Sequence, residues 1–171
     1  MSRTLSVRNR QRVRRVNTPL IRRIALHVLN EQLRIDDFEL AIHLVAAREM
    51  AEVNWNFLQH EGSTDVITFD YSSGSQETFH SEIFICLDDA VKQAREFRTT
   101  WQSELTRYVI HGLLHLCGHD DLKPATRRKM KREENRLLRV TAKRFALSKL
   151  ETRSPSSRAN QSAIGNPKSA I

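Results

Sequence analysis

The chain has 171 residues, a formal net charge of +8 and 39% hydrophobic residues. That length is one domain's worth and can bury a single core. No apolar run approaches the length of a membrane span, so no membrane role is expected. The positive balance suits a polyanionic partner, although a solvated basic surface accounts for it equally well.

In chain order, the first thirty residues are rich in arginine, with no acid before Glu31. That bias resembles an organellar transit peptide. Leu5, Val7, Asn9, Gln11 and Val13 alternate, however, as a strand does, so residues 4–9 are expected to form a strand followed by a basic turn through Arg15. Asn17-Thr18-Pro19 then provides a helix start, with a capping side chain ahead of an early proline. Leu20, Ile21, Ile24, Ala25, Val28 and Leu29 follow at helical spacing. Phe38–Val45 alternates as a strand, and 46–56 reads as a short helix followed by a loop over 58–63.

Residues 65–71 form a buried-type strand, and the serine- and glycine-rich stretch 72–80 predicts a mobile connection. Glu82–Leu87 is another apolar strand, after which Asp88-Asp89 opens a helix to about Phe97, with acids suited to its N-terminus. Thr99-x-x-Gln102 fits a capping box. It precedes a helix whose buried stripe is Leu105, Tyr108, Val109, Leu113 and Leu116. Pro124 begins a last helix, expected to run to about Leu150. Beyond it the composition turns polar, predicting a disordered tail over 151–171 after a domain over 1–150. Cys86 and Cys117 lie in apolar runs and are expected to be buried free thiols in a reducing compartment. The class is α+β (α/β-like): one small mixed sheet with about five helices, one of them central.

That central helix carries the chemistry. His111 and His115 are four residues apart, about 40° from each other around a helix axis and one turn apart, so both imidazoles can reach one small cation. Gly118 tolerates positive φ and can turn the chain back, which lets Asp121, three residues later, supply a third donor to a catalytic rather than a structural zinc. His119 competes for that third position. An ordinary helix with two unrelated histidines is the plainer reading of the pair, and the glycine and carboxylate argue against it. A zinc peptidase would need a glutamate after the first histidine to accept a proton; Gly112 stands there.

HGLLHLCGHDD over 111–121 resembles the H-G-x-L-H-L-x-G-y-D-H pattern of the YbeY endoribonucleases. Asn54-Trp-Asn-Phe-Leu58 with Thr64-Asp-Val-Ile-Thr-Phe69 resembles a second segment of that family, and Ser81-Glu-Ile-Phe-Ile85 resembles its G-D-I-x-I strand. Three positions depart: Asp121 replaces the last family histidine, Leu58 replaces an arginine, and Ser81-Glu82 replaces Gly-Asp. Motif alignment prefers Asp121 to His119.

The resemblance implies a zinc-dependent, single-strand-specific endoribonuclease acting on small-subunit ribosomal RNA in the cytoplasm, with one zinc per chain. Ribosomal proteins and the GTPase Era are implied as further partners. His60 and Lys123 are the nearest cations in sequence that could replace the family arginine. Arg8, Arg10 and Arg12 project to one face of an extended segment that could follow an RNA backbone. Asp120 could hold a ligand or the turn by hydrogen bonds. The rival is a ribosome-associated RNA-binding module that keeps the metal for structure alone.

Overall fold

Strand-forming residues build a four-stranded mixed sheet in a computed structural model that describes residues 2–72 and 78–153. The strands are β1 (Arg3–Asn9), β2 (Phe38–Val45), β3 (Val66–Asp70) and β4 (Phe79–Cys86), in the order β1-β2-β4-β3. β1 and β4 flank β2 in parallel, and β3 runs antiparallel along β4. The helices are α1 (Thr18–His27), α2 (Ala47–Leu58), α3 (Leu87–Phe97), α4 (Trp101–Leu116) and α5 (Pro124–Arg144). α1 continues into a π-helical turn at Val28–Gln32.

The alternation in β2 divides its side chains between two cores. Leu40, Ile42 and Leu44 join Ile83, Ile85, Leu105, Val109 and Leu113 in the main core beneath α1 and α4. Val45 joins Met50, Ile67 and Cys86 in a smaller cluster shared with α2. The sheet is therefore covered on both faces, which explains why the second half of β4, residues 83–86, reads as a continuous apolar run.

Several expected boundaries move. α2 runs to Leu58, because Gln59 takes a left-handed conformation (φ 56°) and its N–H closes onto the Trp55 carbonyl at 3.1 Å. β4 starts at Phe79, opposite Phe38, so it matches the length of β2. Of the connection expected to be mobile, 73–77 lie outside the described residues. Thr100, not Thr99, caps α4 by accepting from the Ser103 N–H at 3.2 Å; Thr99 instead donates to Glu104 at 2.6 Å. α5 stops at Arg144, where Phe145 turns extended, and a 3-10 turn over Leu147–Leu150 follows.

That turn docks the chain end on the start of α1. Leu150 is fully buried, and its carbonyl accepts from the Asn17 N–H at 2.8 Å. Glu151 bridges to Val16, and the Thr152 N–H reaches the Arg15 carbonyl at 3.2 Å. The remainder of the expected tail, from 154 onward, lies outside the described residues. Cys86 is buried as expected, but Cys117 is exposed, because α4 ends one residue before it and releases it from the apolar stripe.

Candidate metal centre

α4 lies on the sheet with one side pressed so close that a Cβ on Gly112 would sit 2.8 Å from Ile83 Cγ2 and 3.4 Å from Val66 Cγ1. The position that holds the general base in zinc peptidases thus faces the core here and has no room for a side chain. His111 and His115 stand on the flank of the same helix, half-buried. Their Nε2 atoms are 3.0 Å apart.

The hydrogen bonds at the other ring nitrogens fix both tautomers. His111 Nδ1 lies 2.8 Å from Glu134 Oε2, and His115 Nδ1 lies 3.0 Å from the His119 carbonyl. An ionised carboxylate and a carbonyl can only accept, so in the neutral rings both hydrogens sit on Nδ1. Two Nε2 lone pairs then face each other, an arrangement that repels unless a proton or a cation lies between them. Zinc–nitrogen bonds of about 2.0–2.1 Å at a tetrahedral angle would set the nitrogens about 3.3 Å apart, close to what is seen.

Beyond Cys117 the chain reverses at Gly118 (φ 87°), a conformation that disfavours any residue with a Cβ. The Gly118 and His119 N–H groups close onto the carbonyls of His115 and Leu114, at 3.0 and 3.1 Å. Asp120 staples this turn to α5: its Oδ1 accepts from the Leu122 N–H at 3.1 Å and from the Thr126 hydroxyl at 2.7 Å. Arg127 Nε donates to the Asp121 carbonyl at 2.9 Å. Asp121 Oδ2 is thereby held 3.9 Å from His115 Nε2. Donor atoms of His111, His115 and Asp121 all lie within 4.8 Å of one another; among the described residues the group has no other member. His119 approaches the site through its backbone, with its carbonyl on His115.

Burial lowers the proton affinity of His111, but the hydrogen bond and charge of Glu134 outweigh it and raise the pKa. His115 is lowered by burial and by the adjacent His111. A proton therefore competes with a cation chiefly at His111, and cation uptake should weaken as pH falls.

Glu134 is the residue that sequence reading missed. It is 4% exposed, and its Oε1 accepts from Arg107 Nη1 at 2.7 Å and from Lys131 at 3.3 Å. Burial pushes its pKa up, but the bonds from His111 and Arg107 more than reverse this and hold it at about 2. A signal was present: Glu134 stands with Met130, Leu137 and Thr141 on the one buried stripe of α5. An acid on such a stripe needs partners. Because its folded pKa lies below the ordinary 4.5, Glu134 stabilises the fold above that pH and loses the contribution as pH falls towards 2. Glu134→Gln should flatten the acid limb of the stability profile of chelator-treated protein between those values, as read by thermal melts. It should also weaken zinc binding by about 10–100-fold, the usual effect of losing a carboxylate that orients a ligand histidine.

The centre opens onto two clefts. One, of about 280 Å³, is lined by His60, Asn54, Leu58, Thr64 and His115. The other, of about 720 Å³, carries His111 and Asp121 on its wall with Asp65, Tyr108, Arg107, Arg127, Arg128 and Lys131. Lys123 is exposed just before α5, its N–H 3.3 Å from the Thr126 hydroxyl, and lines neither cleft. Arg8, Arg10 and Arg12 lie on or just beyond β1, at the sheet edge opposite β3, and Arg10 is paired with Glu49 at 2.5 Å. The structure thus gathers His111, His115 and Asp121, sets His60 in a cleft with His115, leaves Lys123 outside both clefts and puts the N-terminal arginines at the β1 edge of the sheet.

The family profile and the curated proteins similar to this chain in sequence share one description. The sequence profile of the family described as Endoribonuclease YbeY matches residues 6–142. An Endoribonuclease YbeY of Parabacteroides distasonis is 44% identical over 92 residues, which span 54% of this chain and 63% of that protein. The Salinibacter ruber protein of the same description is 31% identical over 141 residues, spanning 78% of this chain and 89% of its own. A solution structure from Thermotoga maritima superposes with a TM-score of 0.62 at 24% identity, covering 89% of this chain and 98% of that one, and so shares the fold. The chain belongs to the YbeY endoribonuclease family.

Proposed function

We propose that the chain is a zinc-dependent endoribonuclease that cleaves single-stranded RNA, acting in maturation of the 3′ end of small-subunit ribosomal RNA and in ribosome quality control. The observation that carries this reading is the pair of facing Nε2 atoms beside the Asp121 carboxylate, at the junction of two clefts and within an endoribonuclease family. His111, His115 and Asp121 would hold the metal. Once bound, it would supply Lewis acidity to a phosphate oxygen and lower the pKa of water.

The protein's own groups do the rest. Glu134 and the His119 carbonyl hold the hydrogen of each neutral ring on Nδ1 and so aim both Nε2 lone pairs at the cation. Arg107 holds Glu134 in place and adds positive charge to the larger cleft. His60, which lines the smaller cleft with Leu58 and His115, is the candidate to stand in for the family arginine; Lys123, which lines neither cleft, is the alternative. The small ribosomal subunit, ribosomal proteins and the GTPase Era are the partners this function entails, in the cytoplasm.

Leu58 favours one second reading, a metal-stabilised RNA-binding module without turnover. Zinc titration and cleavage of matched single- and double-stranded RNAs separate the two. A nuclease should cut the single strand, lose activity with chelator and regain it with zinc. Intact RNA bound to zinc-loaded protein would select the module.

The ligand set has its own test in the same titration. Asp121→Ala should weaken zinc binding strongly, whereas His119→Ala should leave it nearly unchanged, since the His119 carbonyl remains. Asp121→His should retain zinc and move the cleavage profile to lower pH, because a neutral ligand leaves the cation more electrophilic. Loss of zinc in His119→Ala alone would reassign the third ligand.

A further inference from the structure

The larger cleft has a composition that the metal chemistry does not require. Its floor includes Tyr108, 4% exposed, whose hydroxyl has no hydrogen-bond partner among the described residues. Phe97, at the end of α3, stands 67% exposed on its lip, and Met130 adds a further apolar wall from α5. Exposure of a large aromatic ring on a cleft wall sacrifices apolar burial that most surface positions avoid.

α5 also brings basic residues to the cleft. Arg128 and Lys131 are neighbours three residues apart on α5, and both line the cleft. Arg128 makes no ion pair among the described residues, and Lys131, although 3.3 Å from Glu134, remains 61% exposed. At about 720 Å³ the cleft lies within the roughly 300–1,000 Å³ range of small-ligand sites. An exposed aromatic ring and exposed cations in one cleft suit a group that is flat and aromatic at one end and anionic at the other. It also adjoins His111 and Asp121, so a chain whose phosphodiester sits at those residues has its next unit beside this cleft.

We propose that the cleft between α3, α4 and α5 binds the nucleotide adjoining the cleaved linkage, with its base on Phe97 and its outer phosphate on Arg128 and Lys131. The proposal rests on the single-stranded RNA reading above and adds to it where the strand lies and how it is gripped. Stacking on an aromatic ring tolerates any base, so this grip favours unpaired strands without specifying sequence.

The test uses the full chain after chelation, so that binding is read without cleavage. A fluorescein-labelled single-stranded RNA of twelve nucleotides is titrated by anisotropy at several salt concentrations, with wild type, Phe97→Ala and Arg128→Ala. Phe97→Ala should weaken binding about tenfold with the salt slope unchanged, the signature of lost stacking. Arg128→Ala should weaken it and reduce the slope by about 0.7, the contribution of one single-strand phosphate contact. Both side chains are exposed, so folding should be preserved, and thermal melts confirm this. Wild-type affinity in both variants, or no RNA binding by wild type, overturns the proposal. RNA bound by wild type, weakened in both variants and never cleaved by zinc-loaded protein would uphold the cleft and remove the nuclease reading.

Discussion

Replacing His111 by alanine should lower zinc affinity by about a hundredfold or more and abolish RNA cleavage, while the protein stays folded. Zinc bound in small protein sites is held by about 10–16 kcal/mol spread over four ligand positions, so one lost donor removes about 3 kcal/mol or more. His111 carries the larger share of the site's order, because Glu134 fixes its ring and Arg107 fixes Glu134. The side chain is half-buried on the flank of α4, and Glu134 keeps its Arg107 and Lys131 partners after the change. The fold should therefore lose little. Calorimetric zinc titration beside a circular dichroism melt checks both halves of the expectation; unchanged zinc affinity in a folded His111→Ala protein would remove His111 from the site.

Gly112→Val should be the most damaging single change that leaves every candidate ligand in place. Even a Cβ at this position would press against Ile83 at 2.8 Å, and a branched side chain would add contact with Val66, already 3.4 Å from that Cβ. Both neighbours belong to the sheet beneath α4, and Ile83 is fully buried, so relief requires the helix to lift. Overpacking of this kind costs about 1–3 kcal/mol. For a chain of this size that corresponds to a fall in Tm of roughly 2–12 °C. Because α4 carries His111 and His115, zinc affinity should fall with the helix displacement. A Gly112→Val protein with wild-type Tm and zinc affinity would mean that α4 lies further from the sheet than described here.

The centre was legible to the extent that it is local. His111 and His115 are related by one helical turn, and Gly118 and Asp121 follow within six residues, so periodicity and one glycine bring them to a common point. The strands were legible for the same reason: the strand read over Phe38–Val45 has the bounds of β2, although its alternation gives way to continuous burial from Ile42 to Val45. What escaped depends on distant parts of the chain. Glu134 meets His111 across 23 residues and Arg107 across 27, and in sequence it is one acid within a highly charged helix. The end of α5 was misplaced because Leu147 and Leu150 continue an apolar pattern, although they are buried by a 3-10 turn docking on Asn17. Gly112 could be read as a missing base, but its positive role, close packing of α4 on Ile83, exists only once the sheet is in place.

The most direct measurement pairs elemental analysis with cleavage on one purified sample of the full chain. The account predicts one equivalent of zinc per chain, loss of single-strand cleavage when the zinc is chelated, and recovery of both on its return. Protein that binds no zinc on titration, yet cleaves single-stranded RNA equally well with and without chelator, would contradict it.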